Sequence, residues 1–319
     1  SHSGGNRAYQ VANQNFIYSD YNMFYSSGAT LIQLGTSGGN LGSLTHWIDT
    51  TEWDAHSIVY KPAFTSVSDL APNVTASEVW AIHGRGVQID GNSLDINGNI
   101  RHTKLADGVP SLGAYEFTPT SVPVALTATP ANPVANTTQV FMLGTDTVTK
   151  VTWGADVPAT VVAKRYSGVK PSDLNPTQQF MYFYTDFDFT GTAPKGQIVE
   201  QFYLPSWLGT VPEERALKLG ATNTPTTWAV SANSSVSVIR SVVTDTLDHL
   251  DKFTGLTNGV YVTPPIVLSA LDSSNRGTQF WVGYGHHQYF EGANNQNMVV
   301  YMGAGAQAAN VTVRVNGTT

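Results

Sequence analysis

Among the acidic residues of the first part of the chain, Asp20, Asp49, Glu52, Asp54 and Glu78 are those that carbohydrate chemistry would draw on. Glycosidic cleavage needs two carboxyl groups at a set separation, one to protonate the leaving oxygen and one to attack or to activate water. A second cluster is richer in hard oxygen ligands. Asp90, Asn92, Asp95, Asn97 and Asn99 fall within ten residues, and Asp95, Asn97 and Asn99 alternate as the ligands of a calcium loop do. No Glu follows where an EF-hand places its bidentate ligand. The same residue types also close Asx turns without any metal. Calcium is the one candidate cofactor, and the turn reading stands beside it.

The histidines offer less. His286 and His287 are adjacent, so on a strand they point to opposite faces and do not share a ligand. His83 sits near Arg85, and His56 sits inside Asp54-Ala55-His56-Ser57. A structural role is the ordinary expectation for each. No phosphate loop or His-Glu-x-x-His is found. Aromatics are plentiful. Phe180, Tyr182, Tyr184, Phe187 and Phe189 surround Asp186 and Asp188, and Trp47, Trp53, Trp80, Trp207 and Trp281 are scattered along the chain. Exposed rings stack on sugars. Trp53, Trp80, Tyr182, Tyr184 and Trp207 are the candidates for such stacking, and core packing is the competing use.

The elements that must position these residues are strands. Only 12% of the 319 residues are charged, so the Glu, Lys and Arg that coat exposed helix faces are scarce. Thr, Val, Tyr, Phe and Trp are abundant, and they suit half-buried pleated surfaces. Twenty-nine Gly and 16 Pro supply turns. The fold class is all-β. A net charge of -7 without basic runs argues against nucleic acid and against an anionic membrane surface. No apolar stretch is long enough to span a bilayer. Zero Cys excludes disulfides and thiolate metal sites. The chain opens on Ser1-His2-Ser3 rather than on a leader, which reads as a piece of a longer polypeptide.

Three segments follow from the pattern: residues 1–117, 118–258 and 259–319. The first has short apolar rungs between Asn/Asp/Gly corners, as in Asn15 to Tyr25 and Ala29 to Leu34, a pattern that suits a coiled parallel solenoid. Residues 118–135 contain Pro119, Pro123, Pro130 and Pro133 and read as a stiff spacer or an edge-strand entry. The second segment has the spacing of an Ig-like β-sandwich, with strands expected at Thr138–Leu143, Ala159–Tyr166, Phe180–Tyr184, Ile198–Tyr203, Thr227–Val230 and Val236–Val243. Pro212 to Leu219 reads as either a short helix or a strand. The third segment alternates cleanly at Asn310–Val315. It either starts a further module or completes the sandwich.

Several motifs occur in order in the first segment. They are Ser19-Asp20-Tyr21-Asn22, Trp47 with Asp54-Ala55-His56-Ser57, Pro62-Ala63-Phe64, Asp95 to Arg101, and Pro110-Ser111-Leu112-Gly113-Ala114-Tyr115-Glu116-Phe117. This stretch resembles the C-terminal end of a right-handed, pectin-lyase-like parallel β-helix of bacterial surface proteins. Ser111-Leu112 replaces Asp-Ile of that family's closing signature. Val79 to Gly86 departs from the turn that usually precedes it. The resemblance implies that Asp20 and Asp54 are corner or capping residues. The second segment resembles sandwich modules of long Bacteroidota surface proteins, and Arg276 to His287 with Gln296 to Tyr301 resembles the start of another.

Those resemblances imply an outer-surface, extracellular segment without catalytic activity. It would act as an adhesin or stalk, like gliding-motility adhesins and other type IX secretion substrates, with polysaccharide or a host or abiotic surface as partner alongside the rest of its polypeptide. The same lineage implies O-glycosylation at Thr50, Thr147 and Thr246, each after an Asp. The alternatives are an accessory tail of a polysaccharide lyase or hydrolase, and a pure scaffold.

Overall fold

A computed structural model describes residues 7–12, 18–35, 39–66, 68–175, 177–223, 227–231 and 233–257. The expected third module, with Trp281, His286, His287 and the Asn310–Val315 strand, lies outside the described residues. The described fold is all-β, with four sheets that are mostly antiparallel.

The first region has very short strands. β1 (Tyr9–Val11), β2 (Met23–Phe24), β3 (Ile32–Leu34), β4 (Gly39–Leu41) and β5 (Ile58–Val59) each span two or three residues. β1 runs parallel to β3 with Tyr9 opposite Ile32, and β2 runs parallel to β5 with Met23 opposite Ile58. β3 and β4 pair antiparallel. Among the described residues these pairs close no full solenoid turn. A helix unforeseen from composition, α1 (Leu44–Thr51), begins where the Ser43 hydroxyl accepts from the His46 N–H (3.2 Å) and ends at Glu52 in the left-handed region. Leu44 and Trp47 bury one face of it in a small core with Val11, Phe24, Ile32 and Leu41. Packing, not propensity, makes this helix.

The second region follows the expected alternation. Its strands are β6 (Thr127–Thr129), β7 (Thr138–Leu143), β8 (Asp146–Thr152), β9 (Thr160–Ser167), β10 (Gln179–Phe180), β11 (Phe183–Thr190), β12 (Gln197–Phe202), β13 (Lys218–Asn223), β14 (Thr227–Val230), β15 (Ser235–Ser237), β16 (Val242–Leu247) and β17 (Lys252–Thr257). One sheet runs β14-β13-β17-β11-β9, with β10 on β17; the other runs β15-β16-β12-β8-β7-β6. The inward residues of both sheets share one core. Phe141 of β7 meets Phe187 of β11 edge-on at 5.2 Å, and Trp153, Val199, Leu219 and Phe253 pack in the same cluster. Six strands a side in this order is not the immunoglobulin arrangement, so that part of the expectation is replaced by a larger two-sheet packing.

Three local differences have physical causes. The expected Phe180–Tyr184 strand breaks at Met181 and Tyr182, because the Tyr182 N–H turns to the Trp207 carbonyl (2.8 Å). Pro212 to Leu219 resolves into a single 3-10 turn at Glu214–Ala216, capped by Leu217, and the start of β13 at Lys218. The proline-rich stretch is the edge-strand entry: β6 pairs with β7, the Thr120 N–H donates to Val74 O, and the Leu126 N–H donates to Ala163 O.

The two regions meet without a linker between their surfaces. Gly84 lies so close to Gly168 that a Cβ on it would stand 2.2 Å from the Gly168 Cα. The Ser167 hydroxyl donates to His83 O (2.7 Å), and Trp207 Nε1 donates to Gly84 O (2.7 Å). The turn between β7 and β8 abuts β5, where the Val59 N–H donates to the Thr145 hydroxyl (3.0 Å). Ile58, Ala81 and Val109 of the first region belong to the same core as the sandwich.

Candidate functional site

The first candidate is the corner where two expected motifs converge. Asp54 is wholly buried and sits in the left-handed region. Its Oδ1 accepts from Asn22 Nδ2 (2.8 Å) and from the Ser57 hydroxyl (2.6 Å), and its Oδ2 accepts from Trp47 Nε1 (2.8 Å). Asp20 Oδ1 accepts from the Tyr21 and His56 backbone N–H groups (2.9 and 2.8 Å), and its Oδ2 lies 2.6 Å from His56 Nδ1. Burial opposes charge on Asp20, but the His56 side chain and the two N–H bonds outweigh it and hold its carboxyl below the usual range. The Tyr21 ring stacks on the imidazole at 5.0 Å. Its phenol is pushed up to about 12, first by burial and then by the Asp20 charge.

This geometry fastens rather than reacts. Each carboxylate ties one short rung to the next, because strands of two residues leave most backbone donors without a ladder partner. Both Asp54 oxygens are spent on protein donors, so it is not available as a glycosidase acid or nucleophile in this arrangement. Asp49 and Glu52 are exposed at the end of α1, and Glu78 is exposed in the 3-10 turn at Ser77–Ala81.

The oxygen-rich loop is also closed upon itself. Asp95 Oδ1 accepts from the Asn97 and Asn99 N–H groups (both 2.8 Å). Its Oδ2 accepts from Asn99 Nδ2 (3.0 Å) and from the Glu116 N–H (2.8 Å). Desolvation works against this carboxylate, but the Glu116, Asn99 and Asn97 donors prevail and hold it down to about 2. Asp90, Asn92, Asn97 and Asn99 are exposed around it. Among the described residues no group of three or more His, Cys, Asp or Glu is placed to hold a metal. The loop has the geometry of the Asx turn that was the alternative to calcium.

Burial sorts the stacking candidates. Trp207 is 2% exposed, parallel to Phe183 at 4.6 Å and beneath the Arg165 guanidinium at 5.3 Å. Trp80 is buried, donates from Nε1 to Ser121 O (3.0 Å), and lies edge-on to His83 and Tyr166. The Tyr182 hydroxyl donates to Ala106 O (2.9 Å) and its ring lies edge-on to Phe180. Tyr184 is parallel to Tyr166 at 4.7 Å on one side and near Trp228 at 6.4 Å on the other. Burial, then Tyr166 and Asp186, lift its phenol to about 12. Trp80 and Trp207 are buried, and Tyr182 and Tyr184 are half-buried against neighbouring rings. Trp53 differs: it meets Trp47 edge-on at 5.9 Å and stays partly exposed.

Of the three expected glycosylation threonines, Thr50 and Thr246 are exposed and Thr147 is half-buried. The Thr50 hydroxyl donates back to His46 O (2.7 Å).

The charged cluster that sequence reasoning missed is Arg85, Asp146 and Arg165. Asp146 was singled out only as the residue before Thr147. The signal was present: Val161, Ala163, Arg165 and Ser167 alternate on the inward side of β9, so an arginine falls on an apolar row. No family model, curated protein or solved structure matches the chain. Among the described residues no helix is long and apolar enough to cross a membrane.

Proposed function

We propose that the chain is a non-catalytic, extracellular segment of a large bacterial surface protein, acting in adhesion or as a stalk. One observation carries the reading. The two regions share a core and a backbone contact at Gly84 and Gly168, so the joint has no hinge. Units connected by flexible linkers move by default, and a continuous apolar interface suppresses that motion. A jointless segment suits a part that projects and transmits force.

The first region fits the closing turns of a right-handed parallel β-helix. What supports this is the parallel pairing of β1 with β3 and of β2 with β5, together with the meeting of the two closing motifs. In that meeting the Ile96 N–H donates to Ala114 O (3.0 Å), and Arg101 Nε pairs with Glu116 Oε1 (3.0 Å). The alternative, an accessory tail of a lyase or hydrolase, would be favoured by a free carboxylate pair. Asp20 and Asp54 are instead committed to capping.

A polysaccharide panel tests the proposal, scored both for retention of the protein and for release of reducing or unsaturated ends. Retention without release is expected, and Trp53→Ala should weaken it. Release of chain ends would contradict the non-catalytic reading. A surface or stalk role without any glycan contact would show neither.

A further inference from the structure

The buried arginines at the joint are short of both charge and acceptors. Arg85 and Arg165 are 1% and 3% exposed. Asp146 Oδ1 accepts from Arg85 Nη2 (2.6 Å), and its Oδ2 accepts from Arg165 Nη1 (2.8 Å). Arg85 Nη1 donates to His56 O (3.1 Å). Among the described residues no second carboxylate pairs with either guanidinium. Arginine does not lose its proton inside proteins. The site therefore holds two positive charges against one negative, and an unpaired buried charge is costly.

The donors point the same way. Arg85 Nε, and both Nε and Nη2 of Arg165, are buried and make no bond to protein. The Nε–Nη2 edge of Arg165 is thus unspent, and that fork is the one guanidinium groups use to grip anions. A buried hydroxyl, Thr185 Oγ1, also lacks a partner. Thr185 stands directly opposite Arg165 in the β9/β11 register. The Trp207 ring covers one face of the Arg165 guanidinium.

We propose that this joint binds one small monovalent anion of the chloride class on the Nε–Nη2 edge of Arg165, with the Thr185 hydroxyl as a further donor. Water alone would occupy the donors and leave the surplus charge. A monovalent anion balances it, whereas a divalent one would overshoot. The anion needs the folded site and its buried charge surplus, so it stabilises the fold by mass action. This goes beyond the stalk reading and stands or falls separately from it.

Two measurements on the whole chain decide the matter. Crystals soaked in sodium bromide should show an anomalous peak at the Arg165 edge. Thermal unfolding at about 0.1 M salt should give a Tm roughly 2–5 °C higher in sodium chloride than in sodium gluconate. Arg165→Gln should abolish that difference, while Arg240→Ala, at a surface pair with Glu200, should keep it. If Arg165→Gln does not fold, the wild-type comparison and the bromide map still decide. Water at the site, or equal Tm in the two salts, overturns the proposal. A bromide peak with equal Tm means an adventitious ion only, and overturns it as well.

Discussion

The two described regions reach order by different means. In residues 7–117 the strands are two or three residues long, and single polar side chains do the fastening. Asp54 alone joins Trp47, Asn22 and Ser57, and Asp95 alone closes its loop onto Glu116. In residues 118–257 the strands reach eight residues, and inward alternation suffices. Val161, Ala163, Phe183, Phe187, Val199 and Phe253 fill the space between the sheets, and polar ties such as Thr149 with Gln201 and Gln139 with Trp153 add to strands already held by long ladders. Where ladders are short, a carboxylate substitutes for missing backbone partners. An acid-rich corner is then a sign of architecture before it is a sign of chemistry.

The largest expected effect breaks the joint between the two. Gly84 is at φ 55 with Gly168 backbone atoms in the way of any Cβ. Gly84→Ala should cost about 3–5 kcal/mol or prevent folding, since backbone on both sides must shift. Denaturant titration measures it. A loss below about 1 kcal/mol would mean that the joint yields easily.

The next pair compares fastener with core. Asp54→Ala leaves Trp47 Nε1 and the Ser57 hydroxyl without an acceptor, takes one of three from Asn22 Nδ2, and should cost about 3–5 kcal/mol, equal to Phe187→Ala in the sandwich. Asp54→Asn should recover part of the loss. If Asp54→Ala is nearly neutral while Phe187→Ala is not, the proposed division of labour is wrong.

Acid should act on His83. Burial lowers its pKa to about 4, with the Phe117 backbone offsetting only part of that. The unfolded histidine titrates near 6.5. Above pH 6.5 both states are neutral and His83 contributes no slope. Between about 6.5 and 4 only the unfolded state takes up the proton, so stability falls as pH falls, by on the order of 2–3 kcal/mol in all. Unfolding curves from pH 7 to 4 should show this slope, and His83→Gln should flatten it.

The smallest effect is local. Asp95→Ala should speed hydrogen exchange at Asn97, Asn99 and Glu116 while leaving the global midpoint within a few degrees. Calcium or a chelator should leave both unchanged if the loop closes through its own donors. A calcium-dependent Tm would reinstate the metal reading.

The sequence made the all-β class legible, because scarce charge and abundant Thr, Val and aromatics act over the whole chain. Thr138–Leu143 and Thr227–Val230 coincide with β7 and β14, since alternation and turn residues bound them. α1 was not legible: its cause is the seat that Val11, Phe24 and Ile32 make for Trp47. Which faces of the stacking candidates are covered was not legible for a related reason. Composition shows that Trp207 and Tyr184 are aromatic, but only the packing of Phe183 and Tyr166 shows which faces are covered. Asp20 and His56 were noticed in separate motifs, and their meeting depends on a pairing thirty-six residues apart.

Native-state hydrogen exchange tests the central claim, that the two regions open as one unit. The slowest amides of Asn22 to Val59 and of β8, β11 and β12 should share one opening free energy and one dependence on denaturant. A first region that exchanges at clearly lower free energy, with its own slope, would show a separable domain on a working hinge and contradict the account.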